Sequence, residues 1–359
     1  MAAAHGRGLL HLAAAVDLPG ALDAGPYAEL VKLAEHGGLD FVTLDDSFAR
    51  PGPDALGVLS RVAPGTRRIG LVPTVTTTHT EPFQVQAAVA TLDWVSRGRA
   101  GWRIEVSTTE GEARLFGRRH AAPAETVWQE AGEVADVAAR LWDSWEDDAV
   151  YREPAGGRYL DRDRLHHVGF TGSAFSVRGP STLPRPPQGH PVRVVDATDG
   201  PARAVAARYA DVALVRAASP DRAAAAREQL RDAAAGFGRR PESLLVLVSL
   251  LVDLGDGEHA AEPGHGGGGP RPTVQGPLYR GGPVDLAELI AGWHADGATD
   301  GFHLVPVAPR RDLERLVNGT VALLQHRGLF RTFYPGSTLR EHLGLARPAG
   351  RYTVTGGTS

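Results

Sequence analysis

The chain has 359 residues, 42% of them apolar, a formal net charge of −4 and no cysteine. That length suits one large α/β barrel or two ordinary domains, and the apolar content is enough for a large core. The lack of cysteine excludes disulfides, thiolate metal sites and cysteine nucleophiles, a single lysine (Lys32) removes most lysine chemistry, and the absence of a basic run argues against nucleic acid as a partner.

The first apolar run, LLHLAAAV at 9–16, is too short to cross a membrane and carries no signal-peptide cleavage pattern. It reads as a buried strand of a cytoplasmic chain with no membrane association. Further short apolar runs predict strands at 40–44, 68–72, 100–106, 192–195, 211–215, 244–252 and 301–305. Helical patterns separate them, at 26–37, 54–63, 82–96, 124–142, 200–209, 219–236, 284–296 and 310–327. The strands lack clean polar alternation, as in a parallel sheet buried on both faces. Eight strand–helix units in succession predict a single (β/α)8 TIM barrel over residues 1–359. An open doubly wound sheet is the alternative, but nothing marks a change of strand order. Two long excursions interrupt the pattern. Residues 143–191 form an insertion, and the Gly/Pro-rich 255–283 predicts a mobile lid over the barrel mouth; 328–359 form a C-terminal tail.

Several motifs invite chemistry and are better read as structure. Gly264 to Gly269 matches G-x-G-x-x-G only formally, because no strand directly precedes it and Pro270 ends it. The adjacent His166 and His167 point opposite ways on an extended segment, and the acids of WEDDA (145–149) suit a solvated helix end, so no metal site is expected. The ends of the strands are more informative. Asp45 and Asp46 close the second strand, where barrel active sites form, although capping of the next loop explains them equally well. Thr74, Thr76, Thr77 and Thr78 close the third. In GWRIEVS, alternation puts Arg103, Glu105 and Ser107 on one face and Trp102, Ile104 and Val106 on the other. Charges on a buried strand are costly unless paired or used. Asp196 and Asp199 end the fifth strand before a helix, where Asp199 reads as an N-cap.

Taken together, TRRIGLVPTVTTTHTEPFQVQAAVATLDWVSRGRAGW, LWDSWEDDA, FSVRGPSTLPRPPQGHPV, ATDGFHLVP and RGLFRTFYPGSTLREHLGL resemble the luciferase-like flavin-dependent monooxygenases. The similarity is to the branch of nitrilotriacetate, EDTA and dibenzothiophene-sulfone monooxygenases, and it covers nearly the whole chain. The resemblance implies a TIM barrel paired as a homodimer, using reduced FMN from a separate flavin reductase to oxygenate a small-molecule substrate through a flavin peroxide. Residue by residue it implies a flavin lined by Asp46, Thr76, Ser107, Trp128, Thr198 and Asp199. The departures have a direction. The family's flavin-contacting Asn is Arg103, and the Thr of the same strand is Val106. Its His/Arg/Tyr cluster falls on Ala124, Val127 and Trp128. Its phosphate turn, Gln-Ala-Gly-x-Ser-x-x-Gly, is Val195, Asp196, Ala197, Thr198, Asp199, Gly200, Pro201 and Ala202. Two carboxylates there oppose a phosphate dianion.

Three functions follow as expectations. The first is an FMNH2-dependent monooxygenase. The second is a flavin-independent relative that uses Arg103, Glu105, Asp46, Asp196 and His303 for acid–base chemistry, with no cofactor. The third is a non-catalytic partner subunit. Arg103 is expected either to fill the flavin's place, paired with Glu105, Asp196 or Asp199, or to bind an anionic flavin or acidic substrate.

Overall fold

The computed structural model describes residues 8–153, 158–198, 200–255 and 269–353. Barrel strands β1 (His11–Ala15), β2 (Phe41–Leu44), β3 (Gly70–Thr76), β4 (Gly101–Glu105), β5 (Val192–Asp196), β6 (Val212–Val215), β7 (Leu245–Asp253) and β8 (Gly301–Pro306) pair in parallel in that order. The pairing of β8 with β1 closes the ring, so the sheet is a TIM barrel and not an open doubly wound sheet. Each strand begins within two residues of its expected position.

The helices between the strands are α1 (Ala24–His36), α2 (Ala55–Val62), α3 (Pro82–Ser96), α4 (Glu110–Phe116), α5 (Ala124–Trp142), α6 (Ala202–Tyr209), α7 (Pro220–Gly236), α8 (Pro283–Ala295) and α9 (Pro309–Arg315). Their starts follow local chemistry. Asp54, Thr109 and Ser219 accept a backbone N–H at the first turns of α2, α4 and α7. Proline opens α3, α7, α8 and α9, where its missing N–H costs nothing. The sequence pattern does not anticipate α4, a seven-residue helix set by its cap. The last expected helix, 310–327, is interrupted by a π-helical turn at Leu316–Val321.

The insertion folds into two small antiparallel pairs, Val150–Glu153 with Arg158–Leu160 and Phe170–Thr171 with Ser176–Val177. His166 and His167 bond to different partners, Glu146 and the Gly179 carbonyl. Among the described residues no group of His, Asp and Glu is placed to hold a metal ion. Nor is any described helix long and apolar enough to cross a membrane. Of the expected lid, 256–268 lie outside the described residues, while Leu278–Arg280 adds a short parallel strand beside β7.

The barrel is apolar at the bottom and polar at the top. Its lower interior holds Phe41, Val72, Val194 and Leu247, and Leu339 and Leu343 of the C-terminal segment plug it from below. Gly70 makes room for this plug, since a Cβ there would lie 2.6 Å from Leu339 Cδ1. Arg340, next to Leu339, is buried and paired with Asp211 at 3.0 Å, which ties the segment to the start of β6. Leu339→Ala is expected to destabilise the fold by about 2–5 kcal/mol, the range for truncating a buried leucine. Urea unfolding checks this, and a loss below about 1 kcal/mol would show that the plug is not part of the core.

Candidate active site

The polar mouth is built from side chains at the C-terminal ends of the strands. Alternation along β4 buries Trp102 and Ile104 against the helices and turns Arg103 and Glu105 toward the interior. A cavity of about 150 Å3 opens there, lined by Asp17, Asp45, Arg103, Asp196, Arg216, Ser249 and His303 among others. Gln275, Gly276 and Pro277, which follow β7, form part of its wall.

Arg103 is the central cation. Its Nη2 donates to Asp45 Oδ1 at 2.5 Å and lies 3.9 Å from Glu105 Oε2, while its Nε is buried without a partner. Asp45 also receives Arg50, and its own N–H donates to Asp17 Oδ1 at 2.7 Å. Burial raises the Glu105 carboxyl above its ordinary range, opposed by the Arg103 charge and by the Val106 N–H. Burial likewise raises Asp17, against the hydrogen bond from Asp45.

Asp196 belongs to a second pair. Its Oδ2 accepts from Arg216 Nη2 at 2.9 Å, and its Oδ1 accepts from the Thr198 hydroxyl at 2.6 Å and the Thr198 N–H at 3.1 Å. Arg103 therefore pairs with Asp45 first and Glu105 second, while Asp196 is taken by Arg216. Asp199 lies outside the described residues.

His303 sits on β8 between two hydroxyls, 2.8 Å from Thr43 Oγ1 through Nε2 and 3.0 Å from Ser249 Oγ through Nδ1. It is almost wholly buried. Desolvation, helped by the charge on Arg103, pushes its pKa down to about 3, so the ring is neutral at physiological pH.

The remaining candidate residues lie around this cavity. Asp46 accepts from the Ala55 N–H at 2.9 Å, at the start of α2, and lines an adjacent cleft with Asp17 and Arg50. Burial raises its carboxyl, opposed by that hydrogen bond. Thr76 is buried at the end of β3, in register with Glu105. Ser107 donates its hydroxyl to Glu112 at 2.9 Å, which fixes the start of α4. Trp128 shares a groove between α5 and α6 with Pro201, so α5 does reach the turn after β5. Sequence reasoning missed Asp17, Thr43, Arg216 and Ser249. Their signal was position: Thr43 and Ser249 are polar residues inside apolar strands, Asp17 lies two residues after β1, and Arg216 directly follows β6.

A flavin phosphate does not fit these residues. The N–H and hydroxyl of Thr198 and the guanidinium of Arg216 already serve a carboxylate. The cavity beside them holds Arg103 with Asp45, and it adjoins the cleft of about 300 Å3 that shares Asp17 and Asp45.

Comparison with known proteins supplies the family. A model described as luciferase-like monooxygenase matches residues 8–305. Component A of the nitrilotriacetate monooxygenase of Aminobacter aminovorans is 32% identical, with 91% of each chain covered. Two different subunits of the pristinamycin IIA synthase of Streptomyces pristinaespiralis also match. One is 30% identical, covering 96% of this chain and 98% of its own. The other is 28% identical over 79% of this chain and 83% of its own. Among solved structures, a long-chain alkane monooxygenase superimposes with a TM-score of 0.84 at 21% identity, covering 94% of this chain and 96% of that one.

The mouth yields two predictions. In a double-mutant cycle of Arg103→Met and Asp45→Asn, the coupling energy should be about 1–2 kcal/mol, between exposed and fully buried ion pairs. A coupling below about 0.3 kcal/mol would show that the contact holds nothing together. The second concerns His303. Its folded pKa of about 3 lies below the ordinary value, so the unfolded chain takes up a proton that the folded chain does not. This contribution to stability is complete above pH ~6.5 and is lost as the pH falls toward 3. Over that window, unfolding free energy should fall more steeply for the unmodified chain than for His303→Gln, by up to about 1.4 kcal/mol per pH unit. Equal slopes would place a charged imidazole in the barrel.

Proposed function

The chain belongs to the luciferase-like monooxygenase family, and we propose that it works as one chain of a two-chain oxygenase that acts on a small organic molecule with reduced FMN from a separate reductase. The observation that carries the reading is the extent of the similarity: the family match runs through the barrel from residue 8 to residue 305. Two relatives shape the finer part. One is named as a single component of a monooxygenase, and another is a synthase with two different subunits that both resemble this chain. The dimer implied by the resemblance is then a pair of homologous chains and not two copies of this one. A barrel whose mouth is filled with its own charges fits the chain of such a pair that supports the chemistry without housing it.

The residues of the mouth have defined parts in this reading. Arg103 and Asp45 bridge β4 and β2, and Arg216 and Asp196 bridge β6 and β5, so the charges lock the strand ends together. Neutral His303, held by Thr43 and Ser249, closes the interior beneath them.

The test is oxygen labelling. The chain is co-expressed with the homologous chain that co-purifies with it, then supplied with a flavin reductase, a reduced nicotinamide, FMN and 18O2. A panel of small organic acids, thioethers, ketones and lactams serves as substrate. One labelled oxygen atom per product molecule is expected. Reductase turnover with no labelled product from any member of the panel would count against the reading.

A further inference from the structure

We infer that the turn after β5 is a complete anion cradle occupied by the chain's own Asp196 carboxylate, which keeps a flavin phosphate from binding in this barrel. The donors around Asp196 are of the kinds that phosphate sites use: a backbone N–H, a hydroxyl and a guanidinium. Each carboxylate oxygen is engaged. Oδ1 receives both donors of Thr198, and Oδ2 receives Arg216. The cradle is also held in shape. Arg216 N donates to Thr198 Oγ1 at 3.0 Å, and Ala197 N donates to the Leu214 carbonyl at 2.8 Å, so the turn is pinned to β6 from two sides. Ala197 between them is fully buried.

The turn is therefore not eroded at random. It keeps the donors and supplies the anion from within the chain. Removing the carboxylate leaves Thr198 N–H, the Thr198 hydroxyl and Arg216 facing one vacated position, with a positive charge no longer neutralised. An external phosphate can then take the place of Asp196. Together with the proposed function, on which this consequence rests, the flavin of the assembly belongs to the homologous chain.

The experiment compares the unmodified chain with Asp196→Ala in equilibrium titrations with oxidised FMN, riboflavin and inorganic phosphate, read by flavin fluorescence and by calorimetry. Asp196→Asn, which neutralises the charge at nearly constant shape, is the second variant should the alanine form fail to fold. Circular dichroism confirms folding. Asp196→Ala is expected to gain affinity for FMN and for inorganic phosphate by about a hundred- to a thousandfold, the size of one like-charge contact near 4 Å in a partly screened site. Asp196→Asn is expected to gain less, and riboflavin, which lacks the phosphate, to gain nothing. Micromolar FMN binding by the unmodified chain would overturn the inference. So would a folded variant with no gain, or an equal gain for riboflavin. These titrations use the isolated chain and read no oxygenation, so their outcome is independent of the labelling test.

Discussion

The contact between Arg103 and Asp45 sets the terms for the rest of the barrel mouth. A guanidinium on the inner face of a barrel strand is costly unless acids meet it. Asp45, at the end of β2, supplies the nearest acid and Glu105 the next. Once they do, the mouth is committed to charge. Asp17 braces Asp45 from β1, Arg50 reaches Asp45 from the far side, and a parallel pair, Arg216 with Asp196, spans β6 and β5. Beneath this layer the histidine on the inner face of β8, His303, stays neutral because burial penalises its charged form and the nearby Arg103 charge adds to that penalty.

This arrangement separates the two jobs of a TIM barrel. The bottom is a stability device: an apolar layer sealed by Leu339 and Leu343 and pinned by the buried Arg340–Asp211 pair. The top is the place where function varies among barrels. Here the strand ends are joined to one another by charge pairs. Asp196 receives Thr198 and Arg216, and Arg103, at the position where the resemblance implies an asparagine, meets Asp45. The fold is that of the luciferase-like monooxygenases, and the charges of its mouth are paired with one another.

Much of this was legible in the sequence. The repeating strand–helix pattern gave the barrel, because a parallel strand buried on both faces leaves a short apolar run that little else mimics. Alternation in GWRIEVS placed Arg103 and Glu105 on one shared face, which the barrel turns inward. The partners were not legible. Asp45 meets Arg103 and Asp46 turns to α2, a choice made by which of two adjacent residues faces inward as β2 ends. Likewise Asp196 was open to Arg103 on paper, but β6 brings Arg216 closer. Such contacts depend on the stagger between strands, which no single strand encodes. The short helix α4, the π-helical turn and the strand Leu278–Arg280 escaped because each is set by tertiary contacts or a cap and not by periodicity.

The central claim is that internal charges hold the positions a flavin would need. It is tested most directly by anaerobic titration of the unmodified, isolated chain with reduced FMN, the form the resemblance implies. The account predicts no saturable binding up to millimolar flavin. Saturable binding in the micromolar range, at one flavin per chain, would mean that Arg103 and Arg216 turn toward the cofactor and away from Asp45 and Asp196, and the account would fall.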